Sequence, residues 1–426
     1  MKPYLRSQSR LAGLPLSLSL LTTLPLVFST GVLAQEESPE CGTGLVVDHA
    51  FSSGASWSVC LSENQAHGLE LSHVYYRAPG DTQRSVLDHV HLAQVLLHYH
   101  DSAQPEAQID GQISRSTDGQ VDSPLADSQS ADLSTYLQWN QQTCDGAILD
   151  IGDKPASVCS RIKNNRILAK YAQRPSVQSE SLEFSAAFQR GALVWTVLYT
   201  LTEDGTVRPA LSLSGRADNN SNDPRFAQTL ATDNNVANDD TAGSVNLTRA
   251  TVLSTWRMVF DLDTPSTDSV EQFEFPLDEV QGNRRPMEVV RIETESLRQV
   301  DREKFTGWRL LDNSGAGYYL DPANSGFRYT SNSMNWAQFD VAVTAYNDCE
   351  IHALMNQETG LTDCGRSLDD FVDGESMQDR QPVLWYSLSR TFQPSREDWP
   401  VIRNLFLSFD LLPFDWTATS PFEVIE

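Results

Sequence analysis

The chain has 426 residues and a formal net charge of −26, with 57 acidic side chains against 31 basic ones. Such an excess repels nucleic acid and anionic lipid, so neither is an expected partner. It could attract cations such as polyamines or calcium, although a solvated acidic coat needs no ligand.

Residues 1–34 read as a secretory signal. Lys2, Arg6 and Arg10 make a basic start, Leu11 to Phe28 is apolar but broken by Pro15 and Pro25, and Val32 and Ala34 are small residues placed for cleavage before Gln35. A secreted or periplasmic protein is expected, and no later segment is long and apolar enough to span a bilayer as a helix. The six cysteines suit an oxidising compartment and fall as three close pairs, Cys41 with Cys60, Cys144 with Cys159 and Cys349 with Cys364. Their spacings are not those of a zinc site. Six cysteines allow many connectivities, so sequential pairing stands as one hypothesis among them.

From residue 35 onward the chain predicts mostly short strands. Trp57 to Leu61, Leu69 to Tyr76 and Val86 to Tyr99 have strand composition. Residues 102–135 are rich in Ser, Asp, Gln and Gly and predict a long exposed insertion. Strands resume at Gly146 to Ile151, Arg166 to Ala172 and Leu182 to Phe188. Leu193 to Leu201 then runs through Glu203–Asp204–Gly205–Thr206 into Val207 to Leu213, a strong hairpin signal. Residues 216–245 form a second polar insertion. Thr251 to Leu262 and Val270 to Phe275 return to strand composition, and Glu288 to Arg302 predicts a helix with Val289, Val290, Ile292 and Leu297 on its apolar face. Further strands are expected at Trp308 to Leu311, Gly317 to Leu320 and Phe339 to Tyr346. The last two, Val383 to Leu388 and Leu405 to Leu412, flank a Pro-bounded acidic turn. Residues 35–426 are thus expected as one mainly β domain, a large antiparallel β-sandwich.

Within the final stretch, Glu397, Asp398, Trp399 and Pro400 complete a pattern that resembles the C-terminal signature of copper amine oxidases, T-x-G-x-x-H-φ-x-x-x-E-D-x-P. The resemblance extends in order through WSVCLSENQAHGLELSHVYYR (Trp57 to Arg77), VLLHYHD (Val95 to Asp101) and CDGAILDIGDKPASVCSRIKNNRILAKY (Cys144 to Tyr171). It continues through LTEDGTVRPALSLSG (Leu201 to Gly215), GWRLLDNSGAGYYLDP (Gly307 to Pro322) and FDVAVTAYNDCE (Phe339 to Glu350). It covers the family's catalytic domain and implies that domain's β-sandwich, a Cys144–Cys159 bridge and a homodimer.

The family's chemistry requires a tyrosine oxidised to topaquinone, a copper ion held by three histidines, and an aspartate that removes the substrate α-proton. The resemblance places the quinone motif on Ala192 and Leu193. It places the paired copper histidines on Ala250 and Val252, either side of Thr251, and the third copper histidine on Phe392. None of these side chains can ligate copper or become a quinone. Tyr199 lies six residues past Leu193 in a different local pattern. The base position falls on Asp127, inside the first polar insertion, where a solvated loop aspartate is the simpler reading. One of the family's peripheral calcium aspartates corresponds to Asp261, while its neighbour is Val259. No register slip restores the copper ligands. The eight histidines are His49, His67, His73, His89, His91, His98, His100 and His352, and none falls between Gly191 and Glu350 or after His352.

Two His-x-His pairs remain as candidates, His89 with His91 and His98 with His100. Residues i and i+2 of a strand share a face, so either pair could offer two imidazoles to a metal. A site using all four would need a bulge between them, and no third ligand is evident. The expectation is therefore a secreted, non-catalytic binding or structural protein with no cofactor, whose remodelled cavity could take an amine or another small ligand. The alternative is an enzyme, either a divergent primary amine oxidase or a different activity built in that cavity.

Overall fold

The computed structural model describes residues 41–64, 68–99, 136–169, 177–190, 193–216, 227–232, 244–262, 265–276, 285–321, 335–354, 365, 367–417 and 422. Its first strands are β1 (Leu45–Ala50), β2 (Ser56–Asn64), β3 (Gly68–Arg77), β4 (Arg84–Tyr99), β5 (Tyr136–Leu137), β6 (Ala147–Ile151) and β7 (Lys154–Ala169). These lead into β8 (Val177–Arg190), β9 (Leu193–Thr202), β10 (Val207–Arg216), β11 (Ala227–Thr232), β12 (Ser244–Thr248), β13 (Ala250–Phe260) and β14 (Ser269–Glu274). Then follow β15 (Glu288–Arg291), β16 (Ser296–Arg298), β17 (Gly307–Leu311), β18 (Gly317–Asp321) and β19 (Val341–Ala345). A one-turn helix α1 (Leu368–Phe371) precedes β20 (Pro382–Phe392), β21 (Val401–Ser408) and β22 (Asp410–Phe414).

Two antiparallel sheets hold most of these strands. One, of eight strands, runs β1-β2-β3-β4-β13-β20-β19-β16. The other, of twelve, follows the path β15-β14-β17-β18-β22-β10-β9-β8-β7-β6, with β21 also on β10 and β5 on β8. Apolar side chains of both sheets merge into one buried cluster that includes Val90, Trp256 and Tyr386 from the first and Phe184, Tyr199, Leu211 and Tyr318 from the second. This is the expected sandwich, and its core lies between the sheets. Aromatic polar tips bridge the layers: Trp57 Nε1 donates to Thr202 O at 2.8 Å and the Tyr76 hydroxyl to Glu203 O at 2.8 Å.

The β9–β10 hairpin forms as its sequence predicts, with Leu201 opposite Val207. Gly205 closes the turn at a φ of +91°, and a Cβ there would come within 2.8 Å of the Tyr76 ring. Glycine is required on both counts.

Three sequence expectations are corrected. Glu288 to Arg302 is not a helix. Its first part is β15, an exposed edge strand on β14, and its second is β16, which pairs with β19 in the opposite sheet. Val289 and Val290 are both exposed on the edge strand, whereas Ile292 is buried at the crossover. The polar insertion 216–245 contains β11, which pairs with β12 as a separate two-stranded sheet. Leu405 to Leu412 is two strands, broken at Phe409, and neither pairs with β20: β21 and β22 pair with β10, and β20 lies between β13 and β19. Residues 393–400 therefore carry the chain from one sheet to the other. Asp398, fully buried, fixes that crossover by accepting from Ser395 N at 2.8 Å, Arg403 N at 3.1 Å and Arg403 Nε at 3.0 Å.

Cys41 is bonded to Cys60 and Cys144 to Cys159. Cys349 is also disulfide-bonded, and its expected partner Cys364 lies outside the described residues. The Cys144–Cys159 bridge closes a loop with a sequence separation of 15. Replacing both cysteines by alanine is expected to cost about 3 kcal/mol through the unfolded chain's regained entropy. Urea titration of the double variant beside the parent checks it. No helix among the described residues is long and apolar enough to cross a membrane.

Candidate functional site

Ala250 opens β13 and Phe392 ends β20, and the two are direct cross-strand partners. On its other side Ala250 pairs with Tyr99, the last residue of β4. Two residues along, Val252 pairs with Arg390 and with Leu97. The three positions expected to correspond to copper ligands are thus gathered at one end of the eight-stranded sheet, two on β13 and one beside them on β20. Leu193 opens β9 of the facing sheet. Leu193, Ala250 and Val252 are buried members of the inter-sheet apolar cluster, and Phe392 packs against it. Leu213, Leu230, Leu247, Ile402 and Leu405 belong to the same cluster.

Three-histidine copper coordination does not fit these residues. Methyl, isopropyl, isobutyl and phenyl groups have no lone pair to offer, and they lie in close-packed apolar surroundings. Tyr199 does not take the quinone's place. It is fully buried, its hydroxyl sits 3.0 Å from Leu69 O and 3.1 Å from Val90 O, and burial raises that hydroxyl well above the usual tyrosine range. It ties β9 across the core to β3 and β4. Asp127, Ala192 and His100 lie outside the described residues. His98 pairs with Thr251 in the backbone ladder. Asp261 accepts from Ser85 Oγ at 2.9 Å, and the neighbouring Val259 is buried in a second apolar cluster. Among the described residues Asp261 joins no group of three metal-ligating side chains.

A different polar cluster lies on the opposite, outer face of the eight-stranded sheet, around Arg257. Side chains alternate along β13, so Trp256 and Met258 join the inter-sheet core while Arg257 faces the other way. Arg257 is only 2% exposed, and burial pulls its guanidinium down to about 10. It contacts His89 Nε2 through Nη1, donates from Nη2 to Asn347 O at 3.4 Å, and lies over the rings of Tyr346 at 5.4 Å and Trp385 at 5.5 Å. Such cation–ring contacts gain in a desolvated setting.

His89 and His91 stack with ring centroids 5.7 Å apart, and Glu70 joins them from β3, its Oε1 4.0 Å from His91 Nδ1. Potential ligand atoms of Glu70, His89 and His91 all lie within 4.8 Å of one another. The third ligand that the sequence did not reveal is therefore present, on the neighbouring strand. The histidines are nevertheless engaged. His89 Nδ1 donates to Asp88 Oδ2 at 3.0 Å, His89 Nε2 faces the guanidinium, and His91 Nε2 donates to Ile351 O at 3.0 Å. The Arg257 guanidinium supplies buried positive charge that Glu70 and Asp88 attract. A hydrogen bond from His89, opposed by burial, leaves Asp88 below the usual carboxylate range.

Beside this cluster a cavity of about 490 Å³ opens, with Tyr346, Glu350, Phe371 and Glu295 in its lining. Glu350 is 7% exposed, and burial, then the Glu295 carboxylate, pushes it up to about 8. Sequence reading missed this site. Its acidic residues come from segments separated by some eighty positions and are hidden in a chain with 57 carboxylates.

Residues 253–424 match the family model for the copper amine oxidase enzyme domain. No curated protein sequence matches the chain. Among solved structures, a copper-containing benzylamine oxidase from Hansenula polymorpha is similar at a TM-score of 0.68 and 16% identity, covering 89% of this chain and 62% of its own. An Aspergillus nidulans amine oxidase gives 0.64 and 15%, covering 92% and 55%, and a Pichia pastoris lysyl oxidase gives 0.62 and 13%, covering 86% and 52%. The chain thus spans little more than half the length of these relatives. It has the copper amine oxidase β-sandwich, and its residues 253–424 carry the copper amine oxidase enzyme-domain signature.

Proposed function

We propose that this is a secreted copper-amine-oxidase-like protein with a binding or structural role, one that does not carry out topaquinone- and copper-dependent amine oxidation. The observation that carries the reading is the apolar packing of Leu193, Ala250, Val252 and Phe392 in and against one buried cluster. Replacing polar ligands by hydrocarbon leaves no buried group in need of a metal or a hydrogen bond, so the scaffold keeps its core without the cofactors. The disulfides and the signal-like first 34 residues support export. A homodimer is part of the same proposal, because the resemblance is to a domain that pairs.

The test is peroxide release. Protein incubated aerobically with copper(II) and then given benzylamine or tyramine is expected to produce no more hydrogen peroxide than a protein-free copper blank. Amine-dependent peroxide that phenylhydrazine abolishes would overturn the reading.

A further inference from the structure

We propose that the outer face of the twelve-stranded sheet, across β14, β17 and β18, binds a neutral oligosaccharide that lays the apolar faces of its sugar rings on Phe273 and Tyr319. This face is turned away from the inter-sheet cluster that holds Leu193, Ala250 and Val252, so the proposal stands whether or not the chain oxidises amines.

Val270, Trp308, Leu310, Tyr318 and Leu320 belong to the inter-sheet cluster. Side chains alternate along a strand, so Glu271, Phe273, Arg309 and Tyr319 face outward. Register sets them side by side: Glu271 lies opposite Arg309, Arg309 opposite Tyr319, and Phe273 opposite Gly307. The glycine is what lets an aromatic surface form here. A Cβ at 307 would stand 2.5 Å from the tip of the Phe273 ring and 3.0 Å from each flanking ring carbon, so the ring lies across the bare backbone. From there it meets Tyr319 on β18, with ring centroids 5.5 Å apart and planes inclined by 43°. Both rings are only half-buried. Val289, opposite Phe273 on β15 and 39% exposed, continues the apolar strip to the sheet edge.

Polar groups interleave with the rings. Arg309 Nε donates to Glu271 Oε2 at 2.7 Å, and its guanidinium lies 4.8 Å from the Phe414 ring centroid. Asp321 is exposed two residues past Tyr319 on the same face. Neither its carboxylate nor the Tyr319 hydroxyl has a hydrogen bond among the described residues. A pyranose offers C–H bonds on its two faces and hydroxyls around its rim. The C–H faces suit the negative faces of aromatic rings, and the hydroxyls suit a mixed set of carboxylates, a phenol and a guanidinium. The charge favours a neutral sugar: the chain carries −26, and Asp321 lies opposite a second carboxylate, Asp410. A stable protein interface draws on about 20–30 residues a side, whereas two rings with a polar rim have the footprint of a few sugars.

Isothermal titration of the full chain with cellohexaose, laminarihexaose and hexagalacturonate tests the proposal, beside sedimentation over a range of protein concentrations. At least one of the two neutral glucose hexamers is expected to bind, and more tightly than the anionic hexamer. Tyr319→Ala should weaken that binding about tenfold or more, the scale of one lost aromatic contact. Asp321→Ala, at an exposed position, should weaken it several-fold and remains decisive if the aromatic variant does not fold. Binding of neither neutral hexamer, tighter binding of hexagalacturonate, or unchanged affinity in Tyr319→Ala or Asp321→Ala overturns the proposal. So does self-association that Tyr319→Ala abolishes in a chain that binds no saccharide, which would give the face to a second copy.

Discussion

Arg257→Ala is expected to lower the free energy of unfolding by about 3–5 kcal/mol, the range for removing one member of a buried charged network. The guanidinium lies 5.4 Å from the Tyr346 ring centroid and 5.5 Å from that of Trp385, contacts His89 and donates to Asn347 O. Truncation opens a void beside two aromatic rings, leaves His89 Nε2 and a backbone carbonyl without their donor, and removes a buried positive charge that Glu70 and Asp88 attract. Arg257→Lys should recover only part of the loss, since an ammonium cannot reproduce the guanidinium's spread of donors toward both His89 and Asn347 O. Urea unfolding of the three proteins, followed by tryptophan fluorescence, measures the effect. A loss below about 1 kcal/mol for the alanine variant would place Arg257 among ordinary surface residues and remove the outer-face cluster from the account.

Val252→His is expected to cost about 2–4 kcal/mol, because a bulkier, polar ring must enter a filled apolar site. Val252 is fully buried, flanked in register by Leu97 and Arg390. The imidazole would enter the inter-sheet apolar cluster, to which the register neighbour Leu97 also belongs, and copper could not rescue it with one ligand. Thermal unfolding with and without copper(II) distinguishes the cases. Near-parental stability, or a copper-dependent rise in Tm, would mean that a polar ligand cavity persists there.

The two substitutions also mark where the sequence was readable. The β13 run was legible as a strand, and the resemblance put Ala250 and Val252 where they face the core. The partner across the ladder was legible as well, because the Glu397–Pro400 signature fixes Phe392, which proves to be Ala250's direct neighbour. Arg257 was not singled out. Burial on the sheet's outer face depends on the cover from the described residues 335–354 and 367–371, whose short 3-10 turn and one-turn helix have no periodicity to read. Glu70 escaped notice because a ligand contributed by an adjacent strand leaves no spacing in the sequence. The failed helix at Glu288 to Arg302 has a related cause: a segment that changes sheets presents apolar residues to two different layers, and their combined pattern imitates a helical face. Periodicity reports one face of one element, whereas the outer-face site is assembled from several segments far apart in sequence.

The most direct test of the central claim is a redox-cycling quinone stain of the purified chain after aerobic incubation with copper(II), beside a topaquinone enzyme as positive control. The account predicts no stain, because Leu193 cannot be oxidised to a quinone and Ala250, Val252 and Phe392 cannot hold the metal that would do it. A positive stain that depends on copper loading would contradict it.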